Sequence, residues 1–481
     1  MGFAFAIFQG YTTLVALDEK IGSEDTASNK KTSKLKYIVS LLVVLIMTGL
    51  SLTLSLVGGG AEAVASAIQS ANPGWLWAIA GMVFLSYCID GLILLIFARL
   101  YTRRYKFHQG LANAMVGAFY SDVTPGASGG QVMQVFTLKK QGIDVSNGAS
   151  IMVMWFILYQ VSLIIFDVIA FIFEGPNILQ IKTVQLMIWK GWNPEITMIP
   201  LIIVGFGLNL SVLALLFFMS YSHRVHNFVM HYVIGFLGRI KIIKNPDKSR
   251  ENLRVQVENF KIELKRLQTN IPVTILIITL FLLTLLIRYS IPFVAGLSLD
   301  AYGADFRFTL GFFFEGAFRS AFHQMMTGLI PLPGAAGVSE LFFNIMFGNE
   351  YYEATTVLVD GVPKVIRELT SNLAAGQIIW RFMTFYLVLV VGGLVTALYK
   401  SRPKENYVYA NRQTFVNLQL ETFDERKRAV DTLYETKQLS KQSIAERLQS
   451  ANLMDENKRD LPRKNKEDPS KKKHDGLEVG D

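Results

Sequence analysis

The sequence predicts an all-α polytopic membrane protein with about six full spans and two re-entrant, broken-helix segments in an inverted repeat. Three observations predict this fold class. Hydrophobic residues make up 51% of the chain and charged residues only 18%, whereas soluble domains carry about 25% charged residues. The apolar residues fall into long blocks that reach the roughly 20 residues of a membrane-spanning helix. Two glycine-rich motifs that resemble each other lie between these blocks.

Six apolar blocks have the length of a span, although Asp90, Asp167 and Arg288 lie within three of them. The predicted spans are Tyr37–Val57, Trp75–Ala98, Ser150–Phe173, Ile196–Ser220, Ile271–Leu297 and Ile378–Tyr399. The first seventeen residues are apolar but too short for a span. They lack a basic start and a small-residue cleavage site, so we expect no cleaved signal peptide there.

The Lys and Arg content of the loops predicts the orientation, because cytoplasmic loops are enriched in these residues. Residues 221–270 carry ten Lys/Arg against four Asp/Glu, whereas residues 58–74 carry no Lys or Arg. We therefore expect both termini in the cytoplasm and the protein in the cell (plasma) membrane. The expected domains are a cytoplasmic segment (1–36), a transmembrane domain (37–400, with the basic loop 221–270) and a polar, partly disordered cytoplasmic tail (401–481).

The basic loop contains an amphipathic pattern, Leu253–Leu267, with apolar residues at spacings of three and four. Such a helix either lies along anionic lipid headgroups or packs under the bundle, and the pattern leaves both open. Three nearby histidines, His223, His226 and His231, have no Cys, Asp or Glu to complete a metal site. We interpret them as part of a solvated basic face, and we expect no metal and no cofactor.

The two glycine motifs are Pro125-Gly126-Ala127-Ser128-Gly129 and Pro333-Gly334-Ala335-Ala336-Gly337. They lie in the segments His108–Asp144 and Phe308–Gly376, which are too apolar to be free loops. By the count of spans, the first segment enters from the cytoplasm and the second from outside. Two such units in opposite orientation are typical of transporters with inverted repeats.

A helix that restarts after such a motif presents N–H groups and the positive end of its dipole, which suit a phosphate or a carboxylate. The alternative interpretation is a tight turn that allows close helix packing without a ligand. The letters Gly126 to Gly130 also match a hydrolase nucleophile elbow, which needs a strand before it and a helix after it. That context is absent from the sequence, so Ser128 is not expected to be a nucleophile.

Charged residues at membrane depth are costly and usually functional. Two pairs of opposite charge are spaced four residues apart: Glu315 with Arg319, and Lys364 with Glu368. On a helix the members of each pair would share a face and neutralise each other's charge. The other interpretation is that Arg319, Arg367 or Arg381 contacts a lipid phosphate, since guanidinium suits bidentate binding. His323 is interpreted as a hydrogen-bonded interior histidine.

Three motifs in the same order resemble the lysylphosphatidylglycerol synthase transmembrane family, which includes the membrane region of the bacterial multiple peptide resistance factor. They are Thr124–Ile143, the Pro-Leu-Pro-Gly-Ala-Ala-Gly-Val-Ser-Glu stretch at 331–340, and Trp-Arg-Phe-Met-Thr-Phe-Tyr-Leu at 380–387. The resemblance covers about residues 35 to 400. It implies movement of a lipid between leaflets. In full-length members that lipid is lysyl-phosphatidylglycerol, which a soluble C-terminal transferase domain makes from charged tRNA.

The sequence departs from the full-length pattern after the last span. Residues 400–481 contain 18 Lys/Arg and 15 Asp/Glu, a short amphipathic pattern and a polar stretch, and we expect no transferase domain and no catalytic residue there. The predicted substrate-binding residues are Pro125, Gly126, Ser128, Gly129, Gly130, Gln134, Arg319, Pro333, Gly334, Gly337, Glu340, Arg367 and Arg381.

Three functional hypotheses follow from the sequence. The first is a flippase-like protein that moves or binds an anionic or aminoacylated phospholipid. The second is a phosphatidylglycerol lysyltransferase that acts alone. The third is a non-transporting membrane partner of a separate lipid-modifying enzyme. A membrane phospholipid is the expected ligand, and no nucleic-acid partner is expected. The sequence leaves open whether the protein forms a homo-oligomer.

Overall fold

The structure is a computed structural model that describes residues 49, 53, 61–180, 183–185, 195–229, 232, 246–302, 307–330, 332–335, 337–348, 353–359, 362–368 and 371–399. All of them belong to one compact unit that ends at Gln419. The predicted first span, apart from residues 49 and 53, and the tail 401–481 lie outside the described residues.

The described residues form an α-helical bundle with two short antiparallel β-hairpins. The helices are α1 (Ala61–Ser70), α2 (Pro73–Ala98), α3 (Phe107–Asp122), α4 (Ser128–Lys140), α5 (Val145–Phe173), α6 (Gly175–Gln180), α7 (Met198–Tyr221), α8 (His223–Phe228), α9 (Pro246–Thr269), α10 (Ile271–Ser298), α11 (Leu310–Thr327), α12 (Val338–Phe347), α13 (Ser371–Arg381) and α14 (Leu387–Leu398). The hairpins pair β1 (Thr183–Gln185) with β2 (Glu195–Thr197), and β3 (Glu353–Val359) with β4 (Val362–Glu368).

Four helices in the described part of the chain are long and apolar enough to cross a membrane. They are Pro73–Ala98, Val145–Phe173, Ile271–Ser298 and Asn372–Leu398; the last joins α13 and α14 through a π-helical turn, Phe382–Tyr386. These confirm four of the six predicted spans. The span predicted at Ile196–Ser220 is helical over Met198–Tyr221, with a shorter apolar stretch at Ile199–Leu215. An all-α membrane protein is therefore the correct fold class.

The chain contains two similar units that run in opposite directions. The first unit is α2 to α5 and the second is α10 to α14. Their first helices, α2 and α10, pack closely along each other. The Asn72 N–H, just before α2, donates to the Ser298 carbonyl at the end of α10, at 2.7 Å. The two equivalent helices are therefore antiparallel, as an inverted repeat requires.

Each unit contains a helical hairpin broken at its glycine motif. In the first, α3 and α4 flank the turn Pro125–Ala127; in the second, α11 and α12 flank the turn Pro333–Ala335. Each hairpin packs on the last span of the other unit. Helix α3 packs on α14, and α11 packs on α5, where the Phe166 and Phe318 ring centroids are 5.8 Å apart. The two units are therefore interlocked through their hairpins.

Helix α9 contains the amphipathic pattern of the basic loop. It packs against α5, α7 and α10, and Val257, Phe260 and Leu267 are buried. Packing under the bundle is therefore the arrangement that this helix adopts. The apolar face is covered by protein.

The predicted helical pairing of Lys364 with Glu368 is wrong, because both residues lie on strand β4. Residues four apart on a strand are about 13 Å apart along the chain, whereas on a helix they are neighbours across one turn. The β3–β4 hairpin pairs Arg367 with Ala354 and Glu368 with Glu353. The second re-entrant segment is thus shorter than the predicted Phe308–Gly376.

Candidate functional site

The two glycine turns meet each other inside the bundle. The turn Pro125–Ala127 contacts the turn Pro333–Ala335, and α3 packs against both. These turns are the tips of two helical hairpins that belong to units of opposite direction. The inverted repeat therefore brings both sequence motifs, 208 residues apart in the chain, to one place.

Both turns have the same unusual backbone. Gly126 and Gly334 have φ values of 61° and 56°, and the alanines that follow them, Ala127 and Ala335, have φ values of 56° and 50°. A non-glycine residue in this left-handed region is uncommon and costs on the order of 1–3 kcal/mol, so the surrounding structure must hold it. Two separate stretches of sequence thus form the same strained turn at the same place.

Close packing explains three of the predicted glycines. A Cβ on Gly130 would lie 2.0 Å from Ser121 Oγ, and one on Gly129 would lie 2.7 Å from Thr124 Cγ2, so α3 and α4 approach too closely for a side chain. A Cβ on Gly334 would lie 2.3 Å from Phe385 Cζ. Gly337 differs, because a Cβ there would meet no described atom within 4 Å. The second turn thus borders open space at Gly337.

Thr124 closes the first turn onto α3. Its Oγ1 accepts the Gly129 N–H at 2.8 Å and donates to the Tyr120 carbonyl at 2.6 Å. Ser128 is half-buried and begins α4, whose first-turn N–H groups and positive dipole end face the meeting point of the turns. Thr124 is not among the predicted site residues, although its hydroxyl next to a glycine turn is a recognisable capping signal.

Arg381 fixes the second turn to the last span. Its Nη2 donates to the Gly334 carbonyl, and its Nε lies 2.8 Å from Glu340 Oε1. Its guanidinium carbon lies 4.1 Å from the centroid of the Phe385 ring. The π-helical turn Phe382–Tyr386 follows Arg381 directly, and such turns are frequent at functional sites.

Glu340 serves mainly to build the second hairpin. Its Oε2 accepts the Gly337 N–H at 2.6 Å, and its backbone carbonyl accepts Gln377 Nε2 at 2.7 Å. Since Arg381 holds the other carboxylate oxygen, the side chain connects α12 with α13. Gly334, Gly337, Glu340 and Arg381, four of the predicted residues, are thus joined in one cluster.

A second guanidinium, that of Arg288, is not among the predicted site residues and acts on Asp122, just before the first turn. Arg288 Nη2 lies 2.6 Å from Asp90 Oδ2, its Nε donates to Ser86 Oγ at 3.1 Å, and about a third of its side chain (32%) is exposed. The positive charges of Arg381 and Arg288 both act on Asp122, the last residue of α3. Asp122, which lies just before the first turn, is therefore within electrostatic reach of both guanidinium groups.

The other predicted residues lie outside the cluster of Gly334, Gly337, Glu340 and Arg381. Arg319 lies 2.6 Å from Glu315, which confirms the predicted pair, and 2.9 Å from Glu174, which the sequence did not suggest. Burial raises the pKa of Glu174, and Arg319 opposes this rise. Gln134 is buried between α3 and α4, against Gly117, and Arg367 lies on β4. Pro125 and Gly126 form the first turn, and Pro333 begins the second.

Comparison with known proteins gives one family. Residues 37–359, more than half of the chain, match the family model described as the lysylphosphatidylglycerol synthase TM region. The matched range contains both glycine turns and ends before Arg381. No curated protein and no solved structure matches the chain.

Proposed function

The chain belongs to the lysylphosphatidylglycerol synthase transmembrane family, and we propose that it is a flippase-like protein that moves or binds an anionic or aminoacylated phospholipid between the leaflets. The family makes it a multi-pass membrane protein linked to the handling of lysyl-phosphatidylglycerol. The proposal is that the headgroup passes the meeting point of the two glycine turns.

One observation carries this proposal: the tips of two oppositely directed hairpins meet inside the bundle. Irregular backbone at membrane depth leaves polar groups that lipid tails cannot satisfy, so it persists where it is covered by protein or lines a polar cavity. Transporters with inverted repeats place their substrate sites at such broken helices near the midplane. The contact between the two glycine turns supports a substrate path at this point.

The charges near the turns suit the headgroup of lysyl-phosphatidylglycerol, which combines one phosphate with ammonium groups. Arg381 and Arg288 are candidates for the phosphate, because a guanidinium has five N–H donors and their described contacts use only some of them. Asp122 is the candidate for an ammonium group. The first turn of α4 adds a positive dipole end near the phosphate.

The test is a lipid-translocation assay in reconstituted vesicles. Lysyl-phosphatidylglycerol is placed in the outer leaflet, and its remaining amines are measured with a reagent that does not cross the membrane. We expect the wild type to move this lipid, and Gly334→Leu and Gly129→Leu to abolish movement. Gly207→Leu on α7 is the matched control, since a Cβ at this exposed glycine meets no described atom within 4 Å. Equal rates in the wild type, both turn variants and protein-free vesicles would contradict the proposal.

The alternative is lysine transfer from charged tRNA to phosphatidylglycerol by this chain alone, which the word "synthase" in the family description favours. Purified protein with charged tRNA and phosphatidylglycerol vesicles decides between the two. We expect no lysyl-phosphatidylglycerol to form. Product that depends on the protein would support the transferase instead.

A further inference from the structure

Asp167 on α5 is a deeply buried acid outside the cluster at the turns. Its residue is 1% exposed, and neither of its carboxylate oxygens has a hydrogen-bond partner among the described residues. Other acids of the bundle differ, because Asp90, Glu174 and Glu340 each pair with an arginine. Asp167 is therefore a buried carboxyl group for which the described chain supplies no counter-charge.

The described groups that interact with the Asp167 carboxyl group are polar but not basic. The side chain of Asn209 on α7 lies close enough to interact with the carboxyl group of Asp167. Gln160 Nε2 donates a hydrogen bond of 3.0 Å to the backbone carbonyl of Asn209. Tyr159 on α5 and Tyr289 on α10 also interact electrostatically with Asp167. Amide and phenol groups can donate or accept hydrogen bonds, but they carry no charge and therefore cannot neutralise a carboxylate.

Several charged and titratable groups of the other packed helices have partners of their own. On α11, Arg319 pairs with Glu174 and Glu315, and His323 Nε2 lies 2.8 Å from the Ser339 carbonyl. On the other helices, Asp90 pairs with Arg288 between α2 and α10, Glu263 pairs with Arg266 on α9, and Lys139 lies near Asp144 at the start of α5.

We propose that Asp167 carries an exchangeable proton, and that proton movement through this group drives the lipid movement proposed above. A carboxylate without a counter-charge is very costly in a low-dielectric interior, and taking up a proton is the usual way to remove that cost. The carboxylate binds a proton from water on one side of the membrane and becomes a neutral acid. It returns that proton to water on the other side, and no electrons are transferred.

Contacts connect Asp167 to the second hairpin. The adjacent Phe166 ring packs on Tyr289, at 5.2 Å between ring centroids, and on Phe318 of α11. Ser320 Oγ, also on α11, donates to the Tyr289 carbonyl at 2.6 Å. A change of charge at Asp167 therefore acts beside α11, the helix that precedes the second turn.

The first experiment measures lipid movement in reconstituted vesicles under an imposed pH gradient. We expect the gradient to accelerate movement by the wild type. In Asp167→Asn, which keeps the size of the side chain, the rate should fall to that seen without a gradient. The matched control is Ser162→Ala, because Ser162 is buried on the same helix and bonds to the Leu158 carbonyl. A gradient response retained in Asp167→Asn, or a response to a sodium gradient at equal pH, would overturn the proposal.

The second experiment does not depend on lipid movement. Infrared spectroscopy of the wild type at neutral pH should show the C=O band of a protonated carboxyl group that Asp167→Asn lacks. Should Asp167→Asn fail to fold, Asp167→Glu should shift this band instead. A wild-type spectrum without a protonated carboxyl band would overturn the proton at Asp167. A band present in a wild type that moves no lipid would overturn the proposed function and the coupling, and would leave the protonated group established.

Discussion

Asp90 and Arg288 form an ion pair of 2.6 Å between α2 and α10, and each lies 17 residues after the first residue of its helix, Pro73 and Ile271. The two helices are equivalent members of an inverted repeat and run antiparallel. Equivalent positions of such a repeat come together where the two units face each other. The pair therefore joins the first helices of the two units.

Removing one partner of this pair should destabilise the bundle. Removal of one member of a fully buried pair costs about 3–5 kcal/mol, and we expect about 2 kcal/mol for Asp90→Asn because Arg288 is partly exposed. The exchange Asp90→Arg with Arg288→Asp should recover part of the loss. Thermal unfolding in detergent measures this effect. A double variant less stable than either single variant would count against the pairing.

Gly334→Ala should destabilise the second turn more than backbone strain alone explains. The new Cβ would overlap Phe385 Cζ at 2.3 Å, and overpacking costs about 1–3 kcal/mol in addition to the cost of a positive φ. Gly142→Ala is the control, because φ there is 91° but no described atom lies within 4 Å. The two variants are compared by thermal unfolding. Adding Phe385→Leu should relieve only Gly334→Ala, and equal losses in both alanine variants would refute the clash.

Arg381→Gln should lower both stability and lipid movement. It leaves Glu340 as a buried carboxylate without a counter-charge, which costs about 3–5 kcal/mol. The double variant Arg381→Gln with Glu340→Gln should regain stability but not lipid movement. Arg381→Lys keeps the positive charge but lacks the planar guanidinium that contacts both Gly334 and Glu340. The rate of lipid movement by this variant should therefore also fall. Full movement in the stable double variant would show that Arg381 has only a structural role.

Stability should fall as the pH rises above the ordinary glutamate pKa of 4.5, because burial raises the pKa of Glu174 above this value in the folded protein. In that window the folded state binds more protons than the unfolded state, so stability decreases with pH and then becomes constant above the raised pKa. Glu174→Gln should reduce this slope. Thermal midpoints measured from pH 4 to 8 give the comparison, and an unchanged slope would be the contrary result.

The long helices and their breaks could be predicted because they depend on local sequence. The length of the apolar blocks predicts α2, α5 and α10, and the two Pro-Gly-Ala sequences predict both turns. Contacts between distant residues could not be predicted in this way. Asp90 with Arg288, and Glu174 with Arg319, are joined only by the packing of separate helices.

Residue roles were harder to predict than residue positions. Glu340 is predicted to bind a ligand, and its contacts in the fold, the cap of α12 and the ion pair with Arg381, could not be read from the sequence. Gly129 and Gly130 are explained by the close approach of α3 and α4, which no linear motif reveals. Lys364 and Glu368 have helical spacing, yet the hairpin pairing of β3 and β4 places them on a strand.

A reversible cross-link between the two turns measures most directly whether they must move apart for lipid to cross. Ala127 and Ala335 already have positive φ, so cysteines there add little backbone strain, and Cys88→Ser removes the native thiol. Lipid movement is measured in reconstituted vesicles before oxidation, after it, and after reduction. We expect movement to stop in the cross-linked protein and to return on reduction, with single-cysteine variants unaffected. Undiminished movement with the turns fully cross-linked would contradict a lipid path between them.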